Sequence, residues 1–480
     1  MSHAAFYRCA VSYQSPFSNR YGSDEMRALW SEVTKRRIWR KIWIAVAEVQ
    51  AAAGLVTAEQ IDAIKEHALD IDLARAAEIE AEVHHDLVAE LRTFAEQCPL
   101  GGGILHWGMT SADVEDNADV VRQKASLALL LKQLKSLLLE FAGRIEQTAD
   151  LPVLAYTHLQ PAIPTTLGYR MSVYAQDLLG HFEALALRRV NLRGKGIKGA
   201  VGTAASFLDM LSDAPVTHDT LENTVMQSLG IEAFPIATQT TPRIQDFQIH
   251  CDLAAMAATL HKFAFDLRLM QSPGFGVTFE PFGDQQVGSS AMPFKRNPIM
   301  AENICSLARG VAAGAAVAWQ NAASNLLERT LDDSGNRRYL LPEAFLACDQ
   351  MLSTAIDIVG NLEIDPDFTD QNLEGYGPFM GIEPLLNSLV KTGADRQDMH
   401  ERLRKHSMSA WESVRAGNAN PLSDQLSGDT SLLKYLQPAQ IRELLDVRNY
   451  LGFAPQRAKD LVAQIRQRLQ PPENSEGENQ

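Results

Sequence analysis

The chain has 480 residues, is 46% hydrophobic and carries a formal net charge of −15, enough apolar content for a large core shared among two to four structural units. So acidic a balance excludes a surface that grips nucleic acid by releasing counterions, and no apolar run is long enough to span a bilayer. The five cysteines (Cys9, Cys98, Cys251, Cys305, Cys348) are scattered with no CxxC pair, which predicts a reducing compartment and no zinc site. The start lacks the basic and apolar regions of a secretory signal, so a cytoplasmic protein is expected.

In chain order, SPFSNRYGSDEM at 15–26 brings Arg20 and Tyr21 together, a guanidinium fork beside an aromatic ring. HHD at 84–86 has metal-ligating residue types, but adjacent histidines splay to different faces and no third ligand is suitably spaced. GMTSADVEDNAD at 108–119 places Thr110 and Ser111 at a helix start, where they serve either as a plain cap or as a carboxylate site. From 118 to 148, Leu127, Leu130, Leu131, Leu134, Leu137, Leu138, Phe141 and Ile145 recur at three- and four-residue spacing and predict a long helix. Further long helices are predicted at 166–193, 244–272, 301–326 and 337–362, and alternating strand patterns are scarce. Helices of about 25 residues or more point to a long bundle. The expected breaks are THLQPAIPTT at 157–166, the Gly-rich 194–206, the loop at 272–298 and LDDSGN at 331–336. Polar chemistry gathers in these breaks. The expected organisation is all-α: a helical domain over 1–114, a central bundle over 115–364, and a helical domain over 365–480 opening at the IDPDF turn and ending in a disordered polar tail.

The densest chemistry lies in GSSAMPFKRNP at 288–298, followed by IMAEN. Gly288 frees the backbone, Pro293 and Pro298 prevent regular helix, and N–H groups near Ser289 and Ser290 can converge on an anion. This predicts a loop able to close over a carboxylate.

That stretch resembles the signature of the fumarase/aspartase superfamily, lyases that eliminate fumarate from a succinyl group. EPFGDQQVGSSAMPFKRNP at 280–298, ERTLDDSGNRR at 328–338 and KGIKGAVGTAASF at 195–207 narrow the resemblance to the adenylosuccinate lyase family, with further likeness from 15–26 to RQDMHERLR at 396–404. The resemblance implies a three-domain α fold, four subunits packed through their central bundles, and active sites shared between chains. It implies Ser289 as the base, although adjacent Ser290 is not separable by sequence, and His158 as the general acid, with Glu302 orienting the imidazole. Lys295 and Asn297 become carboxylate ligands, as do the hydroxyls of Thr110 and Ser111, and Thr157 accompanies His158. His85, Asp86 and Gln239 fall to substrate contact. Arg20, Tyr21, Arg329, Ser334 and Arg338 fall to the nucleotide and its phosphate. Its polyanionic substrate needs local cations against the global charge, and Arg296 and Arg337 are added candidates. No P-loop or dinucleotide pattern is present, and neither metal nor cofactor is implied.

The expected reaction is release of fumarate from adenylosuccinate, giving AMP, and from the succinylated carboxamide ribonucleotide SAICAR, giving AICAR. Two rivals are weighed: another superfamily lyase acting on argininosuccinate or carboxymuconate, and an inactive structural relative. The phosphate-suited LERTLDDSGNRR segment opposes the first, and intact His158, Ser289, Lys295 and Glu302 oppose the second. Thr241 and Ile244 replace the family's usual tyrosine and lysine in QTTPRIQD at 239–246, and Asn303 stands where some relatives have a basic residue.

Overall fold

A computed structural model describes residues 13–283 and 285–470; Cys9 and the tail expected to be disordered lie outside them. The described chain is dominated by helices. Those used below are α1 (Glu32–Ala52), α2 (Asp86–Gln97), α3 (Ser111–Thr148), α4 (Leu167–Asn191), α5 (Ile244–Met270), α6 (Ile299–Ala323) and α7 (Asp332–Gly360). The periodicity that predicts α3 is the reason it forms: Leu127, Leu130, Leu134, Leu137, Leu138, Phe141 and Ile145 are all fully buried.

Two expected breaks are regular structure. Residues 157–166 belong to an antiparallel hairpin, β1 (Pro152–Thr157) and β2 (Gln160–Thr166). Pro161 and Pro164 read as interruptions, yet β2 accommodates both in a ladder whose register shifts at Leu154/Ala155, and proline is tolerated at an edge or a bulge. LDDSGN also departs from expectation, because α7 begins at Asp332. Asp332 and Asp333 at its first turn suit the positive end of the helix dipole. Ser334 and Arg338 therefore sit four apart on one helix face.

The described residues cluster into two compact units. One draws on residues up to 134 with 181–260 and 306–353; the other draws on 135–180, 261–305 and the residues from 354 onward. The first holds Trp39, Trp43 and Phe94 in its core, with Glu90 buried between Arg36 (3.0 Å) and Arg40 (2.7 Å). The Gly-rich segment lies here as well. Gly202 has φ +85, and a Cβ on it would fall 1.8 Å from the Ala237 carbonyl oxygen, so no side chain fits.

In the second unit the hairpin packs on the helix Pro366–Met380, and Tyr156 meets Phe275 edge-on at 4.7 Å. Asp365 caps that helix by accepting the Phe368 N–H at 2.9 Å, with Pro366 in its first turn. The helices that follow bury Leu385, Leu389, Leu403, Leu422, Leu426 and Ile441 around one core.

Candidate active site

The second unit carries His158 at the tip of the hairpin. Thr157 pairs with Gln160, leaving His158 and Leu159 as a two-residue turn with φ of 54° and 59°. Positive φ at both positions is the type I′ geometry that matches strand twist, and it is ordinarily supplied by Asn-Gly. The imidazole thus stands on a rigid two-strand support, with Thr157 through Gln160 all exposed.

The same unit holds the signature loop, and its base is fixed by Glu280, which the sequence reading did not single out. Glu280 is 2% exposed; its carboxylate accepts the N–H groups of Met300 (3.1 Å) and Ala301 (3.0 Å), capping the start of α6. Burial raises its pKa against the pull of those amides. Its own N–H donates to Gln271, whose side-chain amide donates to the Arg296 carbonyl. Within the loop the Asn297 side chain donates to the Gly288 carbonyl at 2.8 Å. Ser289 Oγ accepts two backbone N–H bonds, from Ala291 (3.3 Å) and Met292 (3.1 Å). Such donors stabilise an oxygen that becomes negative. Ser290 and Lys295 are exposed. Glu302 pairs with Arg268 at 3.6 Å, so the expected pair with His158 is not formed within this chain. Arg296, a weighed phosphate candidate, lies 3.6 Å from Glu363 and over the Phe282 ring.

The remaining candidates lie in the first unit. A cavity of about 180 Å³ is lined by Asp86, Glu115, Arg329, Ser334 and Arg338. Arg338 donates to Asp86 at 3.0 Å. Burial pushes the Asp86 carboxyl up, but Arg338 and Lys35 outweigh it and hold the group low. His85 precedes α2 and lies 3.4 Å from Ser111 Oγ, joining the HHD segment to the GMTS turn. His84, in the left-handed region at φ 55, is exposed. Arg20 is exposed, its guanidinium 5.9 Å from the Tyr21 ring centroid, and Gln239 is half-buried.

Arg337 requires a correction as a phosphate candidate, because it is nearly buried and occupied by Asp246 (2.9 Å) and Asp119 (3.1 Å). Arg243 is likewise held by Asp116 (2.8 Å) and Asp333 (2.6 Å), and Asp333 also takes Arg329 at 2.9 Å. This lattice supports the wall behind Arg329 and Ser334. Thr241 is buried within it and donates its amide to Asp116 at 2.7 Å, whereas Ile244 is half-exposed. A larger open groove of about 930 Å³ in the same unit holds none of the candidates, and Lys198 and Arg193 along it are paired to Glu222 and Glu232.

Residues 19–313 match the model of a lyase family, and residues 378–461 match that of the adenylosuccinate lyase C-terminus. The chain is 36% identical to the adenylosuccinate lyase of Saccharomyces cerevisiae, covering 96% of both proteins. It is 40% identical to that of Schistosoma mansoni, over 87% of this chain and 88% of the relative. The chain belongs to the adenylosuccinate lyase family. Among solved structures, a 3-carboxy-cis,cis-muconate lactonizing enzyme from Pseudomonas putida superposes with a TM-score of 0.84 at 23% identity, covering 94% of this chain and 99% of that one. A fumarate lyase from Mesorhizobium sp. BNC1 superposes at 0.80 and 23%, with the same coverage. These likenesses confirm the all-α fold of the superfamily. Sequence likeness at 36–40% separates the adenylosuccinate lyase family from the carboxymuconate rival.

Proposed function

We propose that this lyase releases fumarate from adenylosuccinate to give AMP, and from SAICAR to give AICAR. The observation that carries the reading is identity of 36% to a curated adenylosuccinate lyase over nearly the whole of both chains. The elimination needs a base for the C–H beside a carboxylate, stabilisation of the resulting aci-carboxylate, and an acid for the departing nitrogen.

Ser289 acts as the base. Its oxygen is held by two amide N–H groups, a setting that supports Ser289 over Ser290. Lys295 supplies positive charge to the carboxylate being enolised, and Asn297 and the Thr110–Ser111 turn bind carboxylate oxygens. His158 protonates the leaving nitrogen, oriented by Glu302 of another subunit. Arg20, Arg329, Ser334 and Arg338 grip the phosphate; Tyr21, His85, Asp86, Thr157 and Gln239 contact the rest of the substrate.

The active species is a homotetramer with shared sites, working in the cytoplasm. Exposed apolar side chains on the long helices, among them Leu187, Val190, Phe265 and Trp319, support burial against other subunits. The test is the absorbance of adenylosuccinate after addition of pure protein: a steady conversion to AMP is expected. No conversion, with turnover of argininosuccinate or carboxymuconate instead, would replace this reading.

A further inference from the structure

The Gly-rich segment 195–207 has no part in the chemistry above, yet it is fastened to the GMTS turn at several points. Asp113 and Lys195 are both fully buried, and Lys195 Nζ donates to Asp113 Oδ1 at 2.5 Å and to the Gly199 carbonyl at 2.8 Å. The same carboxylate accepts the backbone N–H groups of Lys198 (3.0 Å), Gly199 (3.1 Å) and Thr110 (2.9 Å). One turn along α3, Asn117 donates to the Gly196 carbonyl at 3.0 Å and accepts the Gly196 N–H at 3.2 Å. On the other side Gly108, at φ +82, lies against Phe207, and a Cβ there would come within 3.1 Å of the ring.

A plain helix cap would need only the reciprocal bond between Asp113 and Thr110. This carboxylate does more. A buried ion is tolerated only with a close partner and filled acceptor positions; Asp113 has its one cationic partner among the described residues in Lys195, and apart from the Thr110 N–H its acceptor positions are filled by residues 195–199. Because Asp113 takes the Thr110 N–H, the next first-turn N–H groups, those of Ser111 and Ala112, are the ones left open to an anion.

We infer that Asp113 is a positioning residue for the lyase reaction: it clamps the Thr110–Ser111 turn to residues 195–199 and so fixes the geometry with which that turn receives a substrate carboxylate. The inference rests on the reading of Thr110–Ser111 as a carboxylate ligand. Lys195 neutralises the clamp, and the glycines let the backbone come close enough to donate.

The experiment measures product inhibition by fumarate and by AMP, with melting midpoints, for the whole enzyme and three variants. Ser111→Ala tests the turn itself, Asp113→Asn breaks the clamp, and Asp113→Asn/Lys195→Met removes both buried charges so that no unpaired ion compromises folding. Displacing the turn by a fraction of an ångström should weaken fumarate inhibition about tenfold or more while AMP inhibition changes by less than about twofold. Folded Asp113 variants that bind fumarate like the wild type, while Ser111→Ala does not, overturn the clamp alone. Equal loss of both ligands reduces Asp113 to a structural role and overturns it as well. Unchanged fumarate inhibition in Ser111→Ala overturns the carboxylate reading of the turn, and the clamp's role falls with it.

Discussion

Ser289 and His158, the proposed proton carriers, are held by different local means. The serine oxygen is held by two loop amides, whereas the imidazole is held by the backbone of a tight turn. Ser289→Ala and His158→Ala should each lower kcat by about 10²-fold or more with little change in melting midpoint, since each removes a transition-state proton carrier. Near-native turnover in Ser289→Ala would move the base to Ser290. Glu115 yields a second expectation. Burial pushes its carboxyl up to about 8, with Asp86, Asp116 and Asp119 adding repulsion that Arg338 only partly offsets. The folded chain then keeps a proton that the unfolded chain loses above about 4.5, so this group lowers stability progressively between those values and by a constant amount above them. Glu115→Gln should therefore raise the melting midpoint relative to wild type more at pH 8 than at pH 5; an equal gain at both would refute the assignment. The family was legible in the signature stretch because its residues sit in one contiguous motif. Glu280, Asp113 and Glu115 were not, because what each does depends on groups brought near only by the fold.

At the scale of elements, helices announced themselves and the hairpin did not. A repeated apolar spacing over three or more turns leaves α3 little choice, and its observed end at Thr148 matches the predicted one. In β1 and β2, three prolines and a register shift erase the alternation that would mark strands. LDDSGN misled in the same way: serine and glycine suggested a break, but two aspartates at the helix start and a surrounding ion-pair lattice outweigh their modest propensity cost. The hairpin tip also carries a testable strain. Leu159 holds φ 59° and is 62% exposed, so it bears the left-handed cost without compensating burial. Leu159→Gly should stabilise the protein by about 0.5–1 kcal/mol, read as a higher denaturation midpoint at unchanged slope. A loss of stability would mean that the leucine side chain is held in the assembled enzyme.

At the scale of the molecule, the proposed sharing of active sites would make activity a property of the assembly. If His158 and Ser289 of one site come from different subunits, His158→Ala and Ser289→Ala homotetramers that exchange subunits at equal mixing should recover about a quarter of native sites. Proven exchange without recovered activity would place both residues on one chain. The charge lattice described above also has a kinetic consequence. Arg36, Arg40, Arg243 and Arg337 are matched internally by carboxylates, so they attract little from outside, whereas Arg20 and Lys295 are exposed. An anionic nucleotide approaching a chain of net charge −15 is first repelled and then, within the last few ångströms, captured. Dissolved ions cut interactions beyond about 10 Å at 0.1 M far more than those at contact. Moderate salt should therefore speed arrival by weakening the distant repulsion while changing departure less, because the contacts broken on departure are screened less. The arrival rate would then be the more salt-sensitive of the two.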